Sequence, residues 1–396
     1  MRIGIDATAW GNPRGYGRYL RGLVNALNQT QPIHEYVLFI DRFTFENRRD
    51  DLPRGAEYVL IETSRAPALA ASAGSRRSLR DILAVSRSIS RSKLDVLFFP
   101  SVFTYVPCRT RAKILLGIHD VIAEDHPRVV FPGIVDRSMW TLKVWLGRWQ
   151  CDLIVTVSEY ARDGIVRRFN WPPEKIRIVA EAPDPIFAPV EDSAQTVRVL
   201  DGAGLSGVQR YLICLGGLNP HKNLLRLLNV FAELRREPEF GDVHLVLAGP
   251  AESDTFTPGA EALRKAIRDI NLEAAVHITG FLPDEQLVHL LSAARALVMP
   301  SLAEGFGLGA VEAAACGTPV LATRNSPLPD LLAGGGIFFD PLDPAEMGAA
   351  IRRILVDEEA RLGFAREARE RAARLTWANA AAQFVELVAD LDRSSA

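Results

Sequence analysis

Short, strand-like apolar runs alternate with helical segments along the whole chain, and this alternation restricts the fold more than any other feature. In the first half the runs are Arg2–Ala7, Tyr36–Asp41, Tyr58–Ile61, Val96–Phe99, Ile114–Ile118, Leu153–Val157 and Ile176–Ala180. The second half repeats the theme with Tyr211–Leu215, Val243–Ala248, Val276–Thr279, Ala296–Pro300, Val320–Ala322 and Ile337–Phe339. Several are continuously apolar, as strands buried on both faces must be. Helical patterns such as Asn223–Arg235 and Ala345–Val356 lie between them. Such alternation predicts α/β architecture with two doubly wound parallel sheets. Between the halves, PDPIFAPVEDS (183–193) brings in three prolines and reads as a linker. The expectation is an N-terminal domain at 1–185, a second domain at 186–375, and a C-terminal helix in 376–396.

Composition narrows the class. The 396 residues are 48% hydrophobic, ordinary for a globular chain of two or three domains. No apolar run reaches the roughly 18 residues of a membrane-spanning helix. The start, MRIGIDATAWGN, reads directly as a strand, so no signal peptide is expected. Cys108, Cys151, Cys214 and Cys316 form no CxxC pair, and no Cys/His spacing suits a metal. Reduced, buried thiols and a cytoplasmic location are expected. Charge is uneven, with 27 Lys+Arg against 20 Asp+Glu in residues 1–185 and 19 against 28 in the remainder. The asymmetry suggests different partners for the two halves.

Pro300–Gly317, PSLAEGFGLGAVEAAACG, carries the most chemistry. A strand runs into a glycine-rich turn and then a helix. Glycines let the backbone approach a phosphate, and the helix start presents N–H groups to it. A carboxylate such as Glu304 or Glu312 can accept two hydrogen bonds from sugar or ribose hydroxyls. The alternative is an acidic helix N-terminus with a solvated glutamate, which spacing alone leaves equally open.

EGFGLGAVEAAACGTPVLAT at Glu304–Thr323 resembles the donor-site signature of family 4 glycosyltransferases, which have the GT-B fold. LGGLNPHKNLLRLLNVFAEL (215–234) is similar to that family's basic donor loop. His119–Asp120, Ser158–Arg162 and GNPRGYGRYLRGL (11–23) resemble its N-terminal markers. The resemblance spans nearly the whole chain and is closest to bacterial mannosyltransferase-like members.

The resemblance implies roles for residues. Lys222 would meet the donor diphosphate and stabilise the leaving group, with Asn223 adding donors and His221 standing where an arginine is common. Gly217 occupies a position that often holds arginine. Glu304 would face the donor sugar, Glu312 the ribose, and Gly305, Phe306, Gly307 and Leu308 would offer backbone donors. Gly309 replaces a usual proline. Phe281 and Leu282, in TGFL, would hold the base through the backbone, although Phe281 also suits a core. His119 would reach the transferred sugar through its backbone or a neutral ring, with Asp120 orienting the turn. Gly15, Tyr16 and Gly17 form a loop near donor phosphate or acceptor, flanked by Arg14 and Arg18 on the acceptor side. Ser158 reads better as a helix cap than as a catalytic group.

SRRSLRDILAVSRSISRSK (75–93) is basic. Leu79, Ile82, Leu83, Ser86 and Ile89 can share one helical face, leaving Arg76, Arg77, Arg80, Arg87 and Arg91 near another. This suits an anionic membrane or lipid-diphosphate acceptor, although a solvated helix packed on the sheet is the commoner explanation for such a pattern. Trp140, Trp145 and Trp149 read as packing residues.

The expected activity is a retaining transfer of a hexose, with GDP-mannose as co-substrate and a glycan on a lipid carrier as acceptor. The site would lie at the cytoplasmic face of the membrane, with peripheral contact. Neither cofactor nor metal is expected, since Lys222 can neutralise the diphosphate, and no nucleic-acid partner is expected. Rival readings are a same-fold transferase using a UDP- or ADP-sugar on a soluble acceptor, a GT-B epimerase, and a non-enzymatic sugar-binding protein, which would need a signal peptide.

Overall fold

A computed structural model describes residues 1–13, 15–30, 33–63, 78–249 and 258–393. Arg14, Arg76 and Arg77 lie outside the described residues. The chain divides into two compact units: Met1–Ala182 with the chain from Thr376 onward, and Pro183–Leu375. The first division falls at the start of the proline-rich stretch.

In the first unit the strands are β1 (Arg2–Asp6), β2 (Glu35–Asp41), β3 (Glu57–Ile61), β4 (Val96–Phe99), β5 (Lys113–Gly117), β6 (Leu153–Thr156) and β7 (Ile176–Ile178). They form one parallel sheet in the order β3-β2-β1-β4-β5-β6-β7. In the second unit β8 (Arg210–Leu215), β9 (Val243–Ala248), β10 (Val276–Gly280), β11 (Ala296–Met299), β12 (Val320–Thr323) and β13 (Gly336–Phe339) form another, in the order β10-β9-β8-β11-β12-β13. Every strand expected from an apolar run forms. Val96–Phe99 and Ala296–Met299 are buried at each position, because helices cover both faces.

On one face of the first sheet, Leu97, Phe99 and Leu116 pack with Val85 and Ile89 of the helix Leu79–Arg91. Trp140 and Val144 of the helix Ile134–Gln150, and Ile165 of the helix Glu159–Phe169, join the same cluster. Strand neighbours alternate in direction, so Phe98 points the other way. There it meets Phe384 of the helix Trp377–Arg393, with ring centroids 5.0 Å apart. That helix lies along the helix Gly15–Thr30. Gly22 is the notch that makes this possible, since a Cβ there would fall 2.2 Å from the Trp377 ring. Gln383 Oε1 also accepts from the Ala180 N–H at 3.0 Å.

Two helices differ from the sequence expectation. In Leu79–Arg91 the inward row is Asp81, Val85 and Ile89, spaced four apart. Leu79 and Leu83 fall instead on the exposed side, with Arg80, Arg87 and Arg91. In Ile134–Gln150 only Trp140 of the three tryptophans packs inward. Trp145 is 55% and Trp149 76% exposed. Steps of five and nine residues at about 100° each carry both to the opposite side of the helix.

The thiols are free. Burial pushes Cys108 up to about 11, and Cys151 and Cys316 up to about 12, which keeps them as inert thiols.

Candidate functional site

In an open parallel sheet, ligands bind outside the carboxyl ends of the strands, where neighbouring strands send their connections in opposite directions. In the second unit that point lies between β8 and β11. A small pocket there is lined by Gly216, Gly217, Lys222, Met299, Pro300 and Ser301. Gly216 has φ 113°, a backbone state that glycine alone adopts freely. Its N–H donates to the Ala248 carbonyl at 3.0 Å.

Pro220–Lys222 forms a short 3-10 turn that aims Lys222 back at the strand ends. Lys222 Nζ donates to Glu304 Oε1 at 2.7 Å, joining the loops after β8 and β11. Both side chains are mostly buried. Burial alone would raise the Glu304 carboxyl. The Lys222 charge and hydrogen bond outweigh it and hold the group below its ordinary value. The two backbones are also tied, because the Leu302 N–H donates to the His221 carbonyl at 2.9 Å. The Glu304 N–H donates to Asn325 O at 3.0 Å, and Asn325 Nδ2 donates to Leu302 O at 3.1 Å. Asn325 is thus a brace that the sequence reading missed.

Asn223 differs from its expected role. Its Nδ2 donates to Pro300 O at 3.1 Å and to Pro341 O at 2.8 Å, and its φ is 57°. The amide hydrogens are spent on holding two loops together, so Asn223 supports the Lys222 turn from behind.

Gly305 to Leu308 lead into the helix Leu308–Ala315. Gly305 is buried, and the Phe306 and Leu308 side chains join the core, leaving only backbone for a ligand. Gly307 has φ 86°, and a Cβ would come within 2.9 Å of Leu328. Gly309 sits against Leu215, 3.3 Å from where its Cβ would be. Glu312 is 4% exposed in a helix otherwise of Leu, Gly, Ala and Val. Phe281 is 55% exposed, so its alternative as a core residue is set aside. Phe281 and half-buried Leu282 follow β10, two strand spacings or about 10 Å from β8.

The first unit has its own switch point between β1 and β4. The loop after β1 enters the helix Gly15–Thr30 under tight constraint. A Cβ on Gly17 would fall 2.0 Å from the Asn12 carbonyl oxygen, while Gly15 has open space around it. Asn12 Nδ2 donates to Tyr16 Oη at 2.8 Å, and the Tyr16 ring stacks on Phe103 at 5.3 Å, bridging the loops after β1 and β4. Arg18 is half-buried on the same helix. Gly17→Ala is expected to destabilise the first unit by about 1–3 kcal/mol, as overpacking does. Gly15→Ala should be neutral to slightly stabilising. Chemical denaturation of the two variants checks the contrast.

His119 follows β5. Its Nε2 lies 2.8 Å from the Pro100 carbonyl and its Nδ1 3.2 Å from Glu181 Oε1. Both neighbours accept hydrogen bonds, so the site favours the imidazolium form, which can donate from both nitrogens. Burial pulls the His119 pKa down. Glu181, by hydrogen bond and charge, and then the Pro100 carbonyl pull it further up, and the net shift is upward. The ring expected to face a ligand instead directs both nitrogens at Pro100 and Glu181, forming a buried ion pair whenever His119 is protonated. His119 keeps its backbone for a ligand, and Glu181 is the partner that no sequence motif flagged. Asp120 Oδ1 accepts from the Ile122 N–H at 2.9 Å, and Ser158 Oγ accepts from the Ala161 N–H at 3.0 Å. These are the turn and cap roles expected.

Among the described residues, no group of three or more His, Cys, Asp or Glu is placed to hold a metal ion, and no helix is long and apolar enough to cross a membrane.

This geometry can be set beside known proteins. Residues 13–185 match the model for Glycosyltransferase Family 4, and residues 202–371 match that for Glycosyl transferases group 1. The chain is 28% identical over 382 residues to O-antigen chain mannosyltransferase B of Escherichia coli, covering 94% of each protein. Its fold is similar to sucrose-phosphate synthase from Thermosynechococcus elongatus, with TM-score 0.76 and 18% identity over 100% of both chains. It is also similar to Anabaena Alr3699/HepE, crystallised with UDP and glucose, with TM-score 0.74 and 17% identity over 98% of this chain and 100% of that one. Two matched family regions on two doubly wound units place this chain among the family 4 glycosyltransferases of GT-B fold.

Proposed function

We propose that the protein transfers mannose from GDP-mannose to a hydroxyl of a glycan on a lipid carrier, at the cytoplasmic face of a membrane, during cell-surface polysaccharide synthesis. The anomeric configuration is retained. The observation that carries this reading is the Lys222–Glu304 pair at the β8/β11 switch point. It sets a cation where a diphosphate meets the strand ends, beside a carboxylate suited to sugar hydroxyls. Similarity to an O-antigen mannosyltransferase along 94% of the chain favours mannose and a polysaccharide acceptor.

In the proposed reaction the bond from the anomeric carbon to the diphosphate breaks. A bond to the acceptor oxygen forms on the same face, and the acceptor proton passes to the leaving phosphate. Lys222 stabilises the charge that develops there. Glu312 accepts from the ribose hydroxyls, and the backbone at Phe281 and Leu282 holds the base. No metal takes part, so turnover is expected to survive EDTA. A large loss restored by Mg²⁺ or Mn²⁺ would contradict that point.

A UDP-sugar donor is the second reading, favoured by the Anabaena neighbour crystallised with UDP and glucose. A thermal-shift panel of GDP-, UDP-, ADP- and TDP-sugars separates the two. Ligand at 100 times its Kd stabilises by about 2.7 kcal/mol. The largest shift is expected with GDP-mannose. A larger one with a UDP-sugar selects the second reading, and no shift with any of them removes the donor site. Glu312→Ala should weaken nucleoside diphosphate binding by roughly 1.5–3 kcal/mol, about ten- to a hundredfold. Calorimetry giving wild-type affinity would take Glu312 out of the site.

A further inference from the structure

The helix Ile134–Gln150 carries an apolar face turned to solvent. Ile134, Val135, Met139, Leu142, Trp145 and Trp149 are all exposed. At about 100° per residue, these six fall within an arc of about 140°, opposite the buried Trp140 and Val144. Ser138 is the one polar residue inside the arc. Exposed Arg137 flanks one edge, Arg148 and Lys143 turn their charges inward onto Phe169 with Trp171 and onto the Phe103 carbonyl, and Asp136, the helix's single acidic residue, lies outside the arc. A helix lying on an α/β sheet normally shows charge on this side, so a contiguous apolar strip with two exposed tryptophans marks an interaction surface.

We infer that this helix is the protein's docking face for an anionic phospholipid bilayer, lying in the headgroup region with Trp145 and Trp149 as anchors. The inference rests on the proposed lipid-carried acceptor and deepens it by assigning the contact to this face rather than to the basic helix alone. Charge decides the occupant. Leu79–Arg91 covers the same face of the same sheet and exposes Arg80, Arg87 and Arg91, and Arg128 and Arg137 are also exposed. An apolar strip with tryptophans and bordering cations suits lipid tails below and anionic headgroups around. A second copy meeting this strip by two-fold symmetry would bring like charges together. A single helix about 25 Å long also offers little area for a stable dimer.

The test uses the full chain with vesicles of phosphatidylcholine alone or with 30% phosphatidylglycerol, carrying brominated acyl chains. The wild type is expected to bind the anionic vesicles and to show quenched tryptophan emission. Trp145→Ser with Trp149→Ser should weaken binding at least tenfold. Trp145→Phe with Trp149→Phe should still bind but lose the quenching. Circular dichroism and nucleotide-sugar thermal shifts on each preparation report folding and the donor site separately. A folded wild type that ignores anionic vesicles, or binds without quenching, overturns the inference and leaves the transferase reading intact. So does unchanged binding in the serine variant with loss only in Arg80→Ser and Arg87→Ser. A wild-type dimer in light scattering that the serine variant dissociates assigns the strip to a second copy. Absence of any donor shift strikes the proposed function instead, whatever the vesicles show.

Discussion

Lys222→Ala is expected to lower turnover at saturating donor by roughly 10²–10³-fold, the loss typical when a group that stabilises developing charge is removed. Gly217 offers no side chain to share the task. The structure adds a second signature. Without Lys222, the Glu304 carboxyl keeps its burial and loses its strongest opposing influence, so its pKa should rise. In the wild type a depressed carboxyl contributes stability above its unfolded value of about 4.5, lost as pH falls through the lower folded value. The variant should lose part of that contribution at neutral pH, and its acid limb of turnover should move upward. Lys222→Arg should restore charge and recover some turnover. Steady-state kinetics across pH measure the turnover loss, the acid limb and the arginine rescue, chemical denaturation at neutral pH measures the stability loss, and near-wild-type turnover in the alanine variant would remove Lys222 from the chemistry.

Glu181→Ala should destabilise the first unit by about 3 kcal/mol, because removing one partner of a buried ion pair leaves the other uncompensated. For a unit of this size that lowers its unfolding midpoint by roughly 10 °C. The pH dependence gives the sharper test. His119 is raised above its ordinary 6.5, so the pair's contribution is complete below that value and is lost as pH rises through the folded one. Wild-type stability should therefore decline on the alkaline side of 6.5, and Glu181→Ala should flatten that decline. Affinity for the nucleoside diphosphate alone, which the proposed function assigns to the second unit, should not change. Denaturation midpoints across pH 5.5–9 (roughly the window of imidazole titration) provide the check, and identical slopes in the two proteins would refute the ion pair.

The strands were legible because burial on both faces writes itself as an unbroken apolar run, which Ala296–Met299 and Val96–Phe99 show plainly. Ser158 was legible as a cap because its partner lies three residues away. Lys222 and Glu304 were legible as separate site candidates, yet their direct bond joins residues 82 apart and no local rule reaches that far. The same limit explains His119: a ring reads as a neutral ligand until Glu181 arrives from another part of the chain. Asn223 was misjudged because an asparagine beside a glycine loop suits a phosphate donor and a loop brace equally, and only the positions of Pro300 and Pro341 decide. Trp145 and Trp149 were misjudged for a different reason. The eye groups three tryptophans, whereas the helix period puts Trp140 on one side and the other two opposite.

The division of the chain has a practical consequence. The second unit is one uninterrupted stretch, Pro183–Leu375, whereas the first is assembled from two stretches that meet where Trp377 fills the notch over Gly22. A shortened gene ending at Leu375 therefore deprives the first unit, not the second, of part of its fabric. Conversely, a fragment spanning 183–375 keeps its own sheet, its own core and the Lys222–Glu304 pair. That makes the Lys222–Glu304 site separable at the level of cloning, while the first unit can be isolated only by sewing its final helix back onto its front portion.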